Sequence, residues 1–193
     1  MAATPSKMIE LGSPAPDFAL PAPDGRIVSR EDAIGSPLLV GFICNHCPFV
    51  KHIAHVLGKL TAAYAEKGVA VVLINSNDTE IQPQDAPDKM PQFTAHYGIQ
   101  VPYLFDETQE VAQAYRATCT PDFFLYDTAH TLVYRGQFDD ARPGNDEPVT
   151  GADLSAAVDA VLQGAAPLTG QKPSMGCNIK WRPGNEPAFS IIG

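Results

Sequence analysis

The residues best suited to chemistry are Cys44-Asn45-His46-Cys47, with Pro48 directly after them. Thiols three positions apart meet across one helical turn, so they can close into a disulfide and reopen. The nucleophile in such exchange is the thiolate. A helix N-terminus offers free N–H donors and about half a positive charge, and such sites bring a cysteine pKa from ~8.5 down to between ~3.5 and ~7.5. This pattern predicts Cys44 as the attacking thiolate and Cys47 as the resolving thiol. His46, when protonated, stabilises the Cys44 thiolate further and shifts the pair toward a stronger oxidant. Its plainer reading is an exposed polar residue. Phe49 is the candidate apolar lip beside the pair, with core packing as the alternative.

Zinc is the main competitor for a Cys-x-x-Cys, and a structural zinc site usually needs a second pair at matching spacing. The other two of the four cysteines, Cys119 and Cys177, form no such pair. His52 and His55 fall on or beside a helix surface and read as solvated. No metal and no cofactor is expected. Cys119 reads first as a small buried apolar residue and second as a third redox partner. Cys177 lies in a Pro/Gly-rich tail. It reads as a packed tail residue, with folding back as a resolving cysteine, or pairing between chains, as the redox alternatives. Trp181 close by reads as an anchor for that tail.

The elements that would position the pair are legible around it. Leu38 to Ile43 is a continuous apolar run, suited to a strand buried on both faces. Pro48 fits a first helical turn, and Val50, Ile53, Leu57, Leu60 and Tyr64 recur at helical spacing up to Gly68. Val69 to Ile74 is a second buried strand. The strand–helix–strand order implies a right-handed crossover between parallel strands. Upstream, Asp24-Gly25 between Asp17–Leu20 and Arg26–Val28 predicts a hairpin. Downstream, Asn75 to Asp88 reads as a long loop with a short helix. Phe93 and Tyr97 lie on a helix ending at Gly98, and Glu107 to Tyr115 reads as helical. Asp122–Tyr126 and Thr131–Arg135 read as a strand hairpin. A helix from about Thr150 turns Leu154, Val158, Val161 and Leu162 inward. One domain over 1–168, with a tail over 169–193 packed on it, is expected.

Composition narrows the function classes. The net charge is −9 and the pI about 4.8, which speaks against nucleic acid and anionic lipid as partners. The longest apolar stretch is far too short to span a membrane, and Met1 to Glu10 has no secretory pattern. A cytoplasmic location is expected, where thiols are kept reduced and a Cys-x-x-Cys reads as catalytic before structural.

These elements, with Thr120-Pro121 ahead of another strand, resemble the thioredoxin fold: α/β, a central mixed sheet flanked by helices, here with an N-terminal β-hairpin and a C-terminal tail. Phe42 to Lys51, Ile74 to Asp78, Thr118 to Leu125, Tyr134-Arg135-Gly136 and Pro173 to Trp181 resemble its peroxiredoxin-like branch, related to the AhpC/TSA and redoxin proteins. The resemblance implies a cis Thr120–Pro121 bond facing the cysteines, Pro121 positioning substrate backbone and Thr120 beside it. It departs from peroxiredoxins at two places. Aligned on Cys47-Pro48, their threonine position holds Cys44; aligned on Phe124–Asp127, their arginine position holds Pro121. It departs from thioredoxins as well: Ile43 replaces the usual tryptophan, and strand Leu38 to Phe42 carries no buried acid to move a proton. The expected function is thiol–disulfide exchange with a protein or small-molecule disulfide or thiol partner. The alternatives are a thiol peroxidase with an antioxidant role and a non-catalytic redox sensor or binding module. A homodimer stays open.

Overall fold

Leu38-Leu39-Val40-Gly41-Phe42 is wholly buried because it forms the middle strand of a sheet covered on both faces. A computed structural model describes residues 3–190. Along the chain run β1 (Thr4–Pro5), β2 (Ala19–Pro21), β3 (Ile27–Ser29), β4 (Leu38–Phe42), α1 (Pro48–Glu66), β5 (Ala70–Asn75), α2 (Met90–Tyr97), β6 (Tyr103–Phe105), α3 (Glu110–Ala114), β7 (Cys119–Thr120), β8 (Asp122–Tyr126), β9 (Leu132–Gly136), α4 (Ala152–Leu162) and β10 (Met175–Asn178). The main sheet has the order β6-β5-β4-β8-β9. β4 runs parallel to β5 and antiparallel to β8, so the sheet is mixed as expected.

Alternation along β4 divides the core in two. Leu39 points into a cluster with Val50, Ile53 and Leu57 of α1, Phe93 of α2, and Leu154 and Val158 of α4. Leu38, Val40 and Phe42 point the other way, onto Phe18 and Leu20 of the hairpin, Val111 and Ala112 of α3, and Ile179 and Trp181 of the tail. Gly58 lets α1 lie close against the end of α2: a Cβ there would stand 2.6 Å from the Tyr97 carbonyl oxygen. No helix among the described residues is long and apolar enough to cross a membrane.

Three expectations change. β6 is a fifth strand in the sheet, too short to show a period. The helix read over Glu107 to Tyr115 shrinks to Glu110–Ala114. Gln109 has a positive φ, with its amide tied to the Ser76 and Lys180 carbonyls, while the Asp106 carboxylate accepts the Ala112 N–H. Leu162 is exposed rather than inward, because it ends α4 where the chain passes into an exposed stretch. The tail also does more than pack on the surface. β10 pairs antiparallel with β7 on one side and with β1 on the other, forming a second, three-stranded sheet.

Candidate active site

β4 delivers the chain to Ile43, whose N–H still bonds the Ile74 carbonyl. The helix begins only at Pro48, so Cys47, not Cys44, is its N-cap residue. The two cysteines lie together in the buried cluster between the sheet and α1. Both also converge on Thr120. Cys44 Sγ lies 3.3 Å from Thr120 Oγ1, and Cys47 Sγ lies 3.2 Å from the Thr120 carbonyl oxygen. The Thr120–Pro121 bond is cis, as the resemblance implied. Phe49 is half-buried and shares a shallow depression with Pro121 and Met175.

The structure adds Asp85, which sequence reasoning missed. It is wholly buried and sits in a single helical turn within the Asn75–Asp88 loop. Its Oδ1 accepts the backbone N–H groups of Asn45 (2.8 Å) and His46 (3.0 Å). Its Oδ2 accepts Asn77 Nδ2 (2.7 Å) and His46 Nδ1 (2.6 Å). A carboxylate offers about four lone-pair sites, and all four are used here. Asp85 thus fixes the loop between the cysteines. Because a carboxylate only accepts, Nδ1 is the protonated nitrogen of His46. That same nitrogen is 3.5 Å from Cys44 Sγ. Tyr103 completes the frame by donating to Asn45 Oδ1. The only sequence signal for Asp85 was its place in a loop rich in prolines and polar residues.

These surroundings decide which sulfur carries charge. Burial pushes the Cys44 thiol well up, and its hydrogen bond to Cys47 and the Asp85 charge push in the same direction. Cys47 is lowered to about 5. The Cys44 thiol is the largest cause; the Cys177 thiol and backbone N–H and the nearby Val50 N–H act in the same sense against burial. The helix makes no formal side-chain cap bond, but its first turn begins at Cys47. The directions thus run against the expected Cys44 thiolate: burial and the neighbouring Asp85 charge disfavour charge on Cys44, while the donors around Cys47, at the head of the helix, favour it there. Cys44 and Cys47 are both 0% exposed, covered by the Asp85 loop and by β10.

The remaining candidates are also placed. Cys119 is wholly buried, and burial raises its thiol well above the usual value, as fits a packing residue. Cys177 is brought to the pair: β10 sets it opposite Thr120. β4 carries no acid, but Asp122, paired with Phe42 from β8, is wholly buried. Burial pushes its carboxyl well up, against smaller opposing effects of the Phe123 N–H and the Ser6 side chain. Cys44, His46 and Asp85 also offer one ligand atom each, all within 4.8 Å of one another, and could hold a metal ion. Hydrogen bonding already accounts for that convergence.

A mixed sheet, a cysteine pair at the head of α1 and a facing cis-proline define a thioredoxin-fold protein. The AhpC/TSA family signature matches residues 11–135, and the chain belongs to that family. It is similar over 94% of its length to a hypothetical protein of Sinorhizobium meliloti 1021, with 52% identity and a TM-score of 0.91, covering all of that chain (100%). A thiol:disulfide interchange protein of the thioredoxin family from Chlorobium tepidum TLS shares the fold at 19% identity and TM-score 0.61, over 80% of this chain and 99% of that one. Thiol-disulfide oxidoreductase ResA of Bacillus thuringiensis is 23% identical over 124 residues, which is 64% of this chain and 68% of that protein.

Proposed function

We propose that this protein is a thiol–disulfide oxidoreductase that works through Cys44 and Cys47. The observation that carries the reading is the convergence of the two sulfurs on Thr120 at the head of α1, 3.3 Å and 3.2 Å from its Oγ1 and carbonyl oxygen, with Cys47 lowered to about 5. The Cys47 thiolate attacks a sulfur of the partner's disulfide, forming a mixed disulfide and releasing one partner thiolate. Cys44 then gives up its proton and attacks Cys47 Sγ. The Cys44–Cys47 bond forms and the second partner sulfur leaves; of the two released sulfurs one takes the Cys44 proton and the other a proton from water. His46, 3.5 Å from Cys44 Sγ and backed by Asp85, orients the Cys44 side of the pair. Pro121 and Thr120 border the position the partner sulfur must reach, and Phe49 lines the approach. Exchange requires the cover over the sulfurs to shift. In a reducing compartment such as the cytoplasm the pair rests as thiol and thiolate.

Insulin reduction with dithiothreitol as donor tests this. Wild type is expected to turn over, and Cys47→Ser to lose the activity. Cys44→Ser is expected to stop at a mixed disulfide trapped on Cys47. Absence of turnover in wild type refutes the reading. A second reading, a thiol peroxidase, is favoured by the same thiolate: it would take one oxygen from a peroxide as a sulfenic acid, which the Cys44 thiol condenses with to give the disulfide and water. Peroxide consumption by the reduced protein, with a trapped sulfenic acid on Cys47, separates the two.

A further inference from the structure

Cys177 reaches the site from the far end of the chain, and its position is enforced from both sides. Before it, Gly176 lies so close to the cis-proline step that a Cβ would stand 1.9 Å from the Thr120 carbonyl oxygen; only glycine allows that approach. Gly176 pairs on its other side with Thr4 of β1. Ser174 is fixed further upstream, donating its hydroxyl to the Gly136 carbonyl and its N–H to Ser6 Oγ. After it, Ile179 N–H bonds the Thr118 carbonyl, and Lys180 N–H bonds Asn77 Oδ1. Asn77 holds Asp85 with its other amide atom, so the same side chain ties the tail to the loop between the cysteines.

Within this clasp Cys177 is opposite Thr120, whose carbonyl oxygen lies 3.2 Å from Cys47 Sγ. Cys177 lies with Cys44 and Cys47 in one buried cluster, and its thiol and backbone N–H are among the groups that lower the Cys47 pKa. Cys47 is therefore approached by two thiols from two separate elements, Cys44 from the turn before α1 and Cys177 from β10.

We propose that Cys177 is a third exchanging thiol of this site, a catalytic residue that shares Cys47 with Cys44. The inference rests on the oxidoreductase reading, which supplies the oxidised pair. Starting from the Cys44–Cys47 disulfide, the Cys177 thiol loses its proton and attacks Cys47 Sγ. The Cys47–Cys177 bond forms, the Cys44–Cys47 bond breaks, and Cys44 leaves as a thiolate that takes up the proton. One disulfide replaces another, so no external oxidant or reductant enters. The product is a disulfide that fastens the tail over the site and leaves Cys44 as a free thiol.

The test is disulfide mapping on the full chain. Reduced protein is oxidised with diamide, quenched with an alkylating agent in acid, and analysed by peptide mass spectrometry and non-reducing electrophoresis. Wild type is expected to give both Cys44–Cys47 and Cys47–Cys177. Cys44→Ser is expected to oxidise within one chain to Cys47–Cys177, closing a loop of about 130 residues that speeds migration. Cys44→Ala, with circular dichroism to check folding, is expected to do the same. Cys177→Ser is expected to give Cys44–Cys47 alone. The proposal is overturned if both Cys44 variants fold yet give only free thiols or cross-linked dimers. If wild type then still forms Cys44–Cys47 and reduces insulin, the oxidoreductase reading stands without Cys177. Loss of both wild-type properties removes the reading and the proposal together.

Discussion

Acidifying the reduced protein should destabilise it through Cys47, by an amount that can be worked out. The folded thiol is lowered to about 5, against ~8.5 for an unfolded cysteine. A lowered folded pKa contributes stability that is fully present above the unfolded value and is lost as pH falls through the folded one. At about pH 7 the unfolded thiol holds its proton and the folded one does not, so stability rises with pH by about 1.4 kcal/mol per unit. Between about pH 7 and about pH 5 that amounts to roughly 2 kcal/mol, allowing for half-titration at the lower end. Cys44 acts only at the alkaline end: its thiol is raised, so above ~8.5 it opposes folding. The assay is urea unfolding under reducing conditions, comparing wild type with Cys47→Ser at each pH so that other carboxylates cancel. Thiolate ultraviolet absorbance gives the midpoint directly. Cys44→Ala should move that midpoint upward, because it removes the largest stabilising donor. A wild-type minus Cys47→Ser difference that stays flat across this window, or a midpoint near ~8.5, would refute the argument that α1 and its neighbouring donors hold the charge on Cys47.

Three further outcomes follow from the same geometry. Asp85→Asn places an amide NH₂ against groups that are themselves donors; it should cost about 3 kcal/mol in urea unfolding and make Cys44 easier to ionise, read by alkylation against pH. Gly176→Ala should cost about 1–3 kcal/mol and speed native-state alkylation of Cys177, since β10 must lift from Thr120; unchanged protection would mean the close approach is not required. Asp122→Asn should flatten the stability profile above about pH 4. The buried carboxyl is held protonated while its unfolded counterpart ionises, so wild type loses stability as pH rises and the amide does not; parallel profiles would show that Asp122 does not titrate as argued.

The parts of this molecule that could be read from the sequence are those with local causes. An apolar run, a proline after Cys47 and a helical repeat each act over a few residues, so β4, α1 and β5 were visible together with the cysteine pair they carry. β6 was not, because three residues after a proline display no period. The lowering of Cys47 was not, because it depends on which residue begins the helix and on donors that include Cys177 from the other end of the chain. The role of the tail was hidden for a related reason: Met175–Asn178 has little strand character of its own and becomes a strand by finding edges at Thr4 and at Cys119–Thr120. A glycine that reads as loosening a tail is, in place, what permits its closest contact.

The chain contains one tryptophan. Trp181 follows β10 and is packed in the core on the far side of the sheet, on the same stretch of chain as Cys177. Intrinsic fluorescence excited at that indole is therefore an optical gauge of whether the end of the chain is seated. It can be followed in real time, without a label, while the sulfurs nearby are oxidised or reduced.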